Sequence, residues 1–293
     1  MARLRDNGGL AQPVRALASH ARGLQFESAS LHHIFSVCFL LHTVFIEKDI
    51  WNMIDTILFD LDGTLVRFTQ EDFIGTYFPE LSKVFKRLDL DAEKAVKGVW
   101  AGTKAMVLND GTVINARRFW DAFSGYMGIE GDDLKKVEDA CNNFYTNEFN
   151  AVKSITDHND ISARIATVMS ERGYNVVLAT NPLFPPCAVD TRLGWIGLDR
   201  DDFMHITHYE NSTFCKPNPY YYREIFDKIG KQPQQCLMVG NNPAEDMCVK
   251  ELGAEVFLVT DFMENETGID ITVFNHGTIY DMEKYLMSLP VLI

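Results

Sequence analysis

Asp60 and Asp62 lie two residues apart at the end of the apolar run Thr56-Ile57-Leu58-Phe59, and Gly63-Thr64-Leu65 follows them. Alternate side chains of a strand face the same side, so two acids at a strand terminus can open onto one crevice while Leu61 turns into the protein. Gly63 allows a sharp turn and lets backbone N–H groups come close to an anion. That geometry suits a nucleophile, Asp60, beside a general acid and base, Asp62. An Asp-x-Asp-Gly run also opens calcium loops, but those continue with acids at regular spacing and no apolar strand precedes them. Here Val66 and Phe68 follow.

Four apolar runs have the composition of strands buried on both faces: 56–59, 176–179, 236–239 and 256–259. Each ends in polar or glycine-containing turn residues, namely Asp60, Thr180-Asn181, Gly240-Asn241-Asn242 and Thr260-Asp261. Amphipathic helices alternate with these runs, which predicts an α/β fold with a doubly wound parallel sheet, Rossmann-like in its core. Ligands of such sheets bind at the carboxyl ends of the strands, so the four turns should converge. More than a hundred residues separate the first strand from the second. Apolar positions at helical spacing predict helices over 71–88, 91–108, 115–127 and 132–150, with Asp91 and Asp132 as N-caps and Gly111 and Gly128 as stops. The expected organisation is a catalytic core from 53–66 and 156–293, with an inserted all-helical cap over 67–155 acting as a lid.

In order along the chain, these features resemble the haloacid dehalogenase-like hydrolase superfamily, over Met53 to roughly Pro290. Its first motif is a nucleophilic Asp, any residue, then Asp-Gly-Thr, matched at Asp60 to Thr64. Its second is a Thr or Ser ending an apolar strand, matched by Thr180. Its third is a lysine, matched by Lys216 in Cys215-Lys216-Pro217-Asn218-Pro219, where Asn218 or Pro219 opens a helix. The fourth motif departs from the commonest pattern. Asn241 stands where the first carboxylate is usual, and Asp246 matches the distal acid. An Asn carbonyl still coordinates a hard cation but brings no charge. Asn241 and Asn242 also have the residue type of caps for a helix from Pro243.

The resemblance implies a magnesium-dependent phosphatase of a small phosphorylated metabolite. Asp60 would attack phosphorus to form an aspartyl-phosphate, and Asp62 would protonate the leaving oxygen and then activate water. Gly63, Thr180, Asn181 and Lys216 would hold phosphoryl oxygens. Magnesium would sit on Asp60, the Asp62 backbone carbonyl, Asn241 and Asp246. Dehalogenation in this superfamily needs no acid for an alkoxide leaving group, so Asp62 argues for phosphoryl transfer. A phosphomutase using the same intermediate, and a binding or regulatory homologue that has lost turnover, remain alternatives.

The chain of 293 residues has 41 acidic and 27 basic side chains, a formal charge of -14, which on average repels nucleic acid and anionic membranes. An anionic substrate therefore needs a local positive pocket. Six cysteines without a C-x-x-C spacing fit thiols in a reducing compartment, and the expected location is cytoplasmic. Residues 1–52 carry several arginines and the apolar stretch Leu31 to Ile46, which is shorter than a membrane span and holds three histidines. They read as an N-terminal extension, non-native or disordered, with Met53 the expected natural start; the alternative is a real extension that packs as a helix on the core or on a partner subunit. Arg117, Arg118, Trp120, Arg192, Trp195 and Tyr220-Tyr221-Tyr222 read as packing or surface residues, and so do His205 and His208.

Overall fold

The computed structural model describes residues 54–157 and 160–292, so the N-terminal extension lies outside the described residues. Six parallel strands form one sheet: β1 (Thr56–Phe59), β2 (Asn175–Leu178), β3 (His205–Ile206), β4 (Cys236–Gly240), β5 (Glu255–Val259) and β6 (Asn275–Gly277). Their order is β3-β2-β1-β4-β5-β6. The first strand in sequence is thus central, and the chain winds outward from it in both directions. Phe59 is level with Leu178 on one side and Val239 on the other. That register brings the ends of β1, β2 and β4 to one height.

Because side chains alternate, each strand serves both faces of the sheet. Ile57, Phe59, Val176, Leu178, Leu237 and Val239 pack with α5 (Ile161–Glu171) and α8 (Ile279–Ser288). Leu58, Val177, Met238, Val256 and Leu258 pack on the other face against Tyr221, Tyr222, Ile225 and Phe226 of α7 (Pro219–Ile229). Asn218 caps α7 through its side chain and Pro219 is its first residue, as expected.

Between β1 and β2 run α1 (Gln70–Arg87), α2 (Ala92–Val107), α3 (Asn115–Met127), α4 (Gly131–Thr146) and a 3-10 stretch, Glu148–Ile155. Asp91 accepts a hydrogen bond from the Lys94 N–H, and Gly128 ends α3 in the left-handed conformation. Asp132 differs from expectation: it lies in the first turn of α4, whose cap position is Glu130. An acid there still faces the positive end of the helix dipole. Tyr77, Leu81, Phe85, Val99, Phe123 and Phe144 join the same apolar cluster as Phe59 and Leu178, so the inserted helices share one core with the sheet. All described residues fall in one compact unit.

Arg67 and Asp157 stand where the chain leaves and rejoins the sheet. The Asp157 N–H donates to the Arg67 carbonyl at 2.8 Å, and Arg67 pairs with Asp157 and with Asp261 at 3.0 and 3.1 Å. Its guanidinium lies 5.1 Å from the Phe262 ring centre. Among the described residues, no helix is long and apolar enough to cross a membrane.

Candidate active site

Asp60 follows β1, where its N–H donates to the Val239 carbonyl at 2.9 Å. Its Oδ1 accepts from Lys216 Nζ at 2.7 Å, and the same ammonium reaches Asp246 Oδ1 at 2.6 Å. All three side chains are buried. Burial pushes the Asp60 carboxyl well up; Lys216 opposes this and the like charge of Asp246 adds to it. Burial pulls the Lys216 ammonium down, but Asp246 and Asp60 outweigh it, so the lysine is held well above its ordinary range. One cation therefore bridges two carboxylates that would otherwise repel each other out of the interior.

Asp62 forms an isolated bridge with Val66 that shapes the turn after β1. Its Oδ2 accepts from Arg192 Nη1, while its buried Oδ1 has no partner among the described residues. Arg192 lies in α6 (Pro186–Trp195) and is wholly buried. Its Nε donates to the Ala188 carbonyl at 3.1 Å, and the Phe184 ring supports its guanidinium at 4.4 Å. Arg192 is thus no simple packing residue, which corrects the sequence reading. The signal was available: Arg192 shares a helix face with Ala188, Val189 and Trp195, all buried, and a lone arginine on an apolar face needs an anionic partner.

Gly63 adopts φ +82°, and a Cβ there would fall 2.1 Å from Asn241 Nδ2, so both conformation and space require glycine. Its N–H, however, donates to the Val66 carbonyl at 2.8 Å. The expected contact of this N–H with an anion is therefore not prepared; the tight turn uses that donor itself. Thr180 is buried, and its carbonyl accepts from Thr207 Oγ1 at 2.7 Å and the Tyr221 hydroxyl at 2.8 Å. Tyr221 is one of the tyrosines read as packing, and this bond fixes the backbone under Thr180. Asn181 donates from Nδ2 to Glu245 at 3.0 Å and accepts from the Lys216 N–H at 3.3 Å.

The two asparagines have separate work. Asn242 Oδ1 accepts from the Ala244 and Glu245 N–H groups, both at 3.0 Å, and so caps a turn. The helix expected from Pro243 is instead that turn followed by a 3-10 segment, Met247–Leu252. Asn241 donates from Nδ2 to the Phe262 carbonyl at 2.7 Å, and its Oδ1 accepts from Thr64 Oγ1 at a long 3.4 Å. Asp246 Oδ2 accepts from the Asn242 N–H at 2.9 Å.

These residues line a cavity of about 160 Å³, with Asp60, Asp62, Thr180, Asn181, Asn241 and Asp246 on its wall. Lys216 is bonded to two of these wall residues, Asp60 and Asp246. Asp261 does not join them: it turns to Arg67 and the Ile279 N–H. Glu264, which the sequence reading passed over, takes a place on the wall instead. Burial, with Glu245 nearby, pushes its carboxyl up to about 7. Its signal was position in the loop after β5, at the carboxyl edge of the sheet.

Among the described residues, no three His, Cys, Asp or Glu side chains assemble a ready metal cluster. The donor chemistry nevertheless fits a hard cation such as magnesium. The wall carries Asp60, Asp62, Glu245, Asp246 and Glu264 against the cations Lys216 and Arg192, and the buried Asp62 Oδ1 is orphaned. Oxygen donors of that kind, with an excess of negative charge, suit magnesium better than a soft metal.

The haloacid dehalogenase-like hydrolase family matches residues 54–247. No curated protein matches the chain by sequence. Similar solved structures include a predicted phosphoglycolate phosphatase from Haemophilus somnus, at 18% identity and TM-score 0.50, covering 80% of this chain and 98% of that one. The L-2-haloacid dehalogenase of Xanthobacter autotrophicus has 16% identity and TM-score 0.50, covering 81% and 100%. A magnesium-bound HAD-hydrolase structure from Bacillus subtilis has 16% identity and TM-score 0.50, covering 80% and 99%. At such identities the likeness speaks for the fold. The family match spans most of the chain and contains Asp60, Asp62, Thr180, Lys216 and Asp246, and the chain belongs to the haloacid dehalogenase-like hydrolase family.

Proposed function

We propose that this hydrolase is a cytoplasmic, magnesium-dependent phosphatase of a small phosphorylated metabolite, working through an aspartyl-phosphate on Asp60. The observation that carries the reading is the pairing of Asp62 with the buried Arg192, next to Asp60 on Lys216. A second carboxylate that is oriented, with one oxygen unpartnered, is what an alkoxide leaving group requires and a halide leaving group does not.

An Asp60 oxygen would form a bond to phosphorus as the bond from phosphorus to the leaving oxygen breaks, and Asp62 would give that oxygen its proton. Asp62, now a base, would take a proton from water as the water attacks phosphorus and frees Asp60. Lys216, the Thr180 hydroxyl and Asn181 would bind phosphoryl oxygens, Lys216 supplying positive charge where negative charge gathers. Asp60, the Asp62 carbonyl, Asn241 and Asp246 would hold magnesium, which when bound supplies Lewis acidity and neutralises charge. Residues 67–155 would serve as the cap that excludes water.

Purified protein with magnesium should release phosphate from 4-nitrophenyl phosphate, and Asp60→Asn should abolish the release. Undiminished turnover by that variant would overturn the assignment.

A further inference from the structure

A second cavity adjoins the first within the inserted helices. It measures about 150 Å³, and its wall combines residues of α1 to α4 with Leu183, Phe184, Pro185 and Tyr209. The two cavities share Gln70, Phe73, Leu183 and Phe184, so the space beside Asp60 continues through this neck into the second cavity. Phe73 and Phe184 meet edge to face there, with ring centres 6.0 Å apart.

The chemistry of the second cavity is one-sided. No lining side chain carries a charge, and nine are Phe, Trp or Tyr residues from the four inserted helices alone. The ring tips are matched to one another, the Tyr77 and Tyr145 hydroxyls lying 2.7 Å apart and Trp120 Nε1 donating to the Tyr209 hydroxyl at 3.4 Å; the other polar side chains on the wall are the uncharged Gln70, Thr103 and Asn142. Burial raises the Tyr77, Tyr145 and Tyr209 phenols, so none of them becomes anionic at working pH. A carboxylate, a second phosphate or a polyhydroxylated sugar entering this space would lose its water and find little in return. An uncharged ring would lose nothing of that kind and would gain ring contacts. The volume matches cavities that hold a single benzene ring.

We propose that the second cavity selects the leaving group, and that the substrates are phosphate monoesters of an uncharged alcohol carrying one aromatic or similarly apolar ring. The proposal rests on the phosphatase reading for the phosphate end, and on the cavity alone for the ring.

Two esters with leaving groups of similar basicity separate ring recognition from intrinsic reactivity: 2-phenylethyl phosphate and propyl phosphate. With the full chain and magnesium, kcat/KM should favour the phenylethyl ester by roughly thirtyfold or more, the effect of burying a ring. Calorimetry with 2-phenylethanol should show binding that Thr103→Trp and Val99→Phe, both filling the cavity, each abolish, and the same variants should bring the ratio of the two esters toward one. A ratio near one in the unaltered protein would overturn the proposal while leaving the phosphatase reading intact. Binding of 2-phenylethanol that both variants leave undiminished would overturn it too, as would faster turnover of 2-phosphoglycolate than of the phenylethyl ester. If neither ester is hydrolysed but 2-phenylethanol binds and both variants block it, the ring site stands and the phosphatase reading falls.

Discussion

Arg192 and Asp62, 130 residues apart in the chain, form an ion pair in which the arginine is wholly buried and the carboxylate keeps one oxygen without a protein partner. Arg192 touches no reacting atom in the proposed chemistry, so its role is to position Asp62. Arg192→Met should lower kcat by roughly 10²- to 10³-fold, the range of a misplaced general acid, with a much smaller change in KM. The shape of the pH–rate profile should change as well, which a simple loss of stability would not produce. Arg192→Lys keeps the charge and should recover part of the rate.

Lys216 bridges Asp60 and Asp246 in the interior. Lys216→Met would leave two buried carboxylates facing each other, at a cost of about 3–5 kcal/mol in folding stability by chemical denaturation. Adding Asp246→Asn to that variant should return much of the stability without returning activity. Recovery of both would show that the lysine acts only as a structural counterion.

Asn241 brings an oxygen but no charge to the position proposed for magnesium. Asn241→Asp should tighten magnesium binding at least roughly tenfold by calorimetry. The same change replaces the donor that now meets the Phe262 carbonyl at 2.7 Å with an acceptor. Without magnesium the variant should therefore melt lower than the unaltered protein, and its Tm should rise more steeply as magnesium is added.

His208 follows β3, far in sequence from the acids. Burial, with Arg200 nearby, pulls its imidazole down from 6.5 to about 4, and its Nδ1 is buried without a partner. A histidine depressed in the folded state adds stability that is full above its unfolded value and is lost as pH falls toward the folded one. Folding stability should therefore decline between about pH 6.5 and 4. The ring is partly exposed, so screening limits this to about 1–2 kcal/mol. His208→Gln should flatten that part of the stability curve; an unchanged slope would assign the decline to other groups.

Strand runs, helix periods and the order of the acidic, threonine and lysine motifs were all visible in the one-dimensional chain. These features obey local rules: a short continuous apolar run for β1, 3.6-residue periodicity for α3, and an Asn-Pro start for α7. Asp60, Thr180, Asn181, Asn241 and Asp246 could be placed on one wall because each ends or follows a strand, and a parallel sheet brings those ends to one edge.

What depended on side-chain direction could be decided only in three dimensions. Arg192 and Asp62 meet because α6 presents its buried face to the turn after β1, and no spacing along the chain encodes that meeting. The Gly63 N–H closes its own turn because Val66 folds back within reach. Glu264 occupies the wall and Asp261 does not, since Arg67 draws Asp261 toward the ends of the insertion. The ring cavity likewise exists only once four helices and the loop from Leu183 to Pro185 enclose one space. Local sequence governs where backbone hydrogen bonds go; burial of charge and the shape of a cavity depend on distant segments arriving together, which packing alone decides.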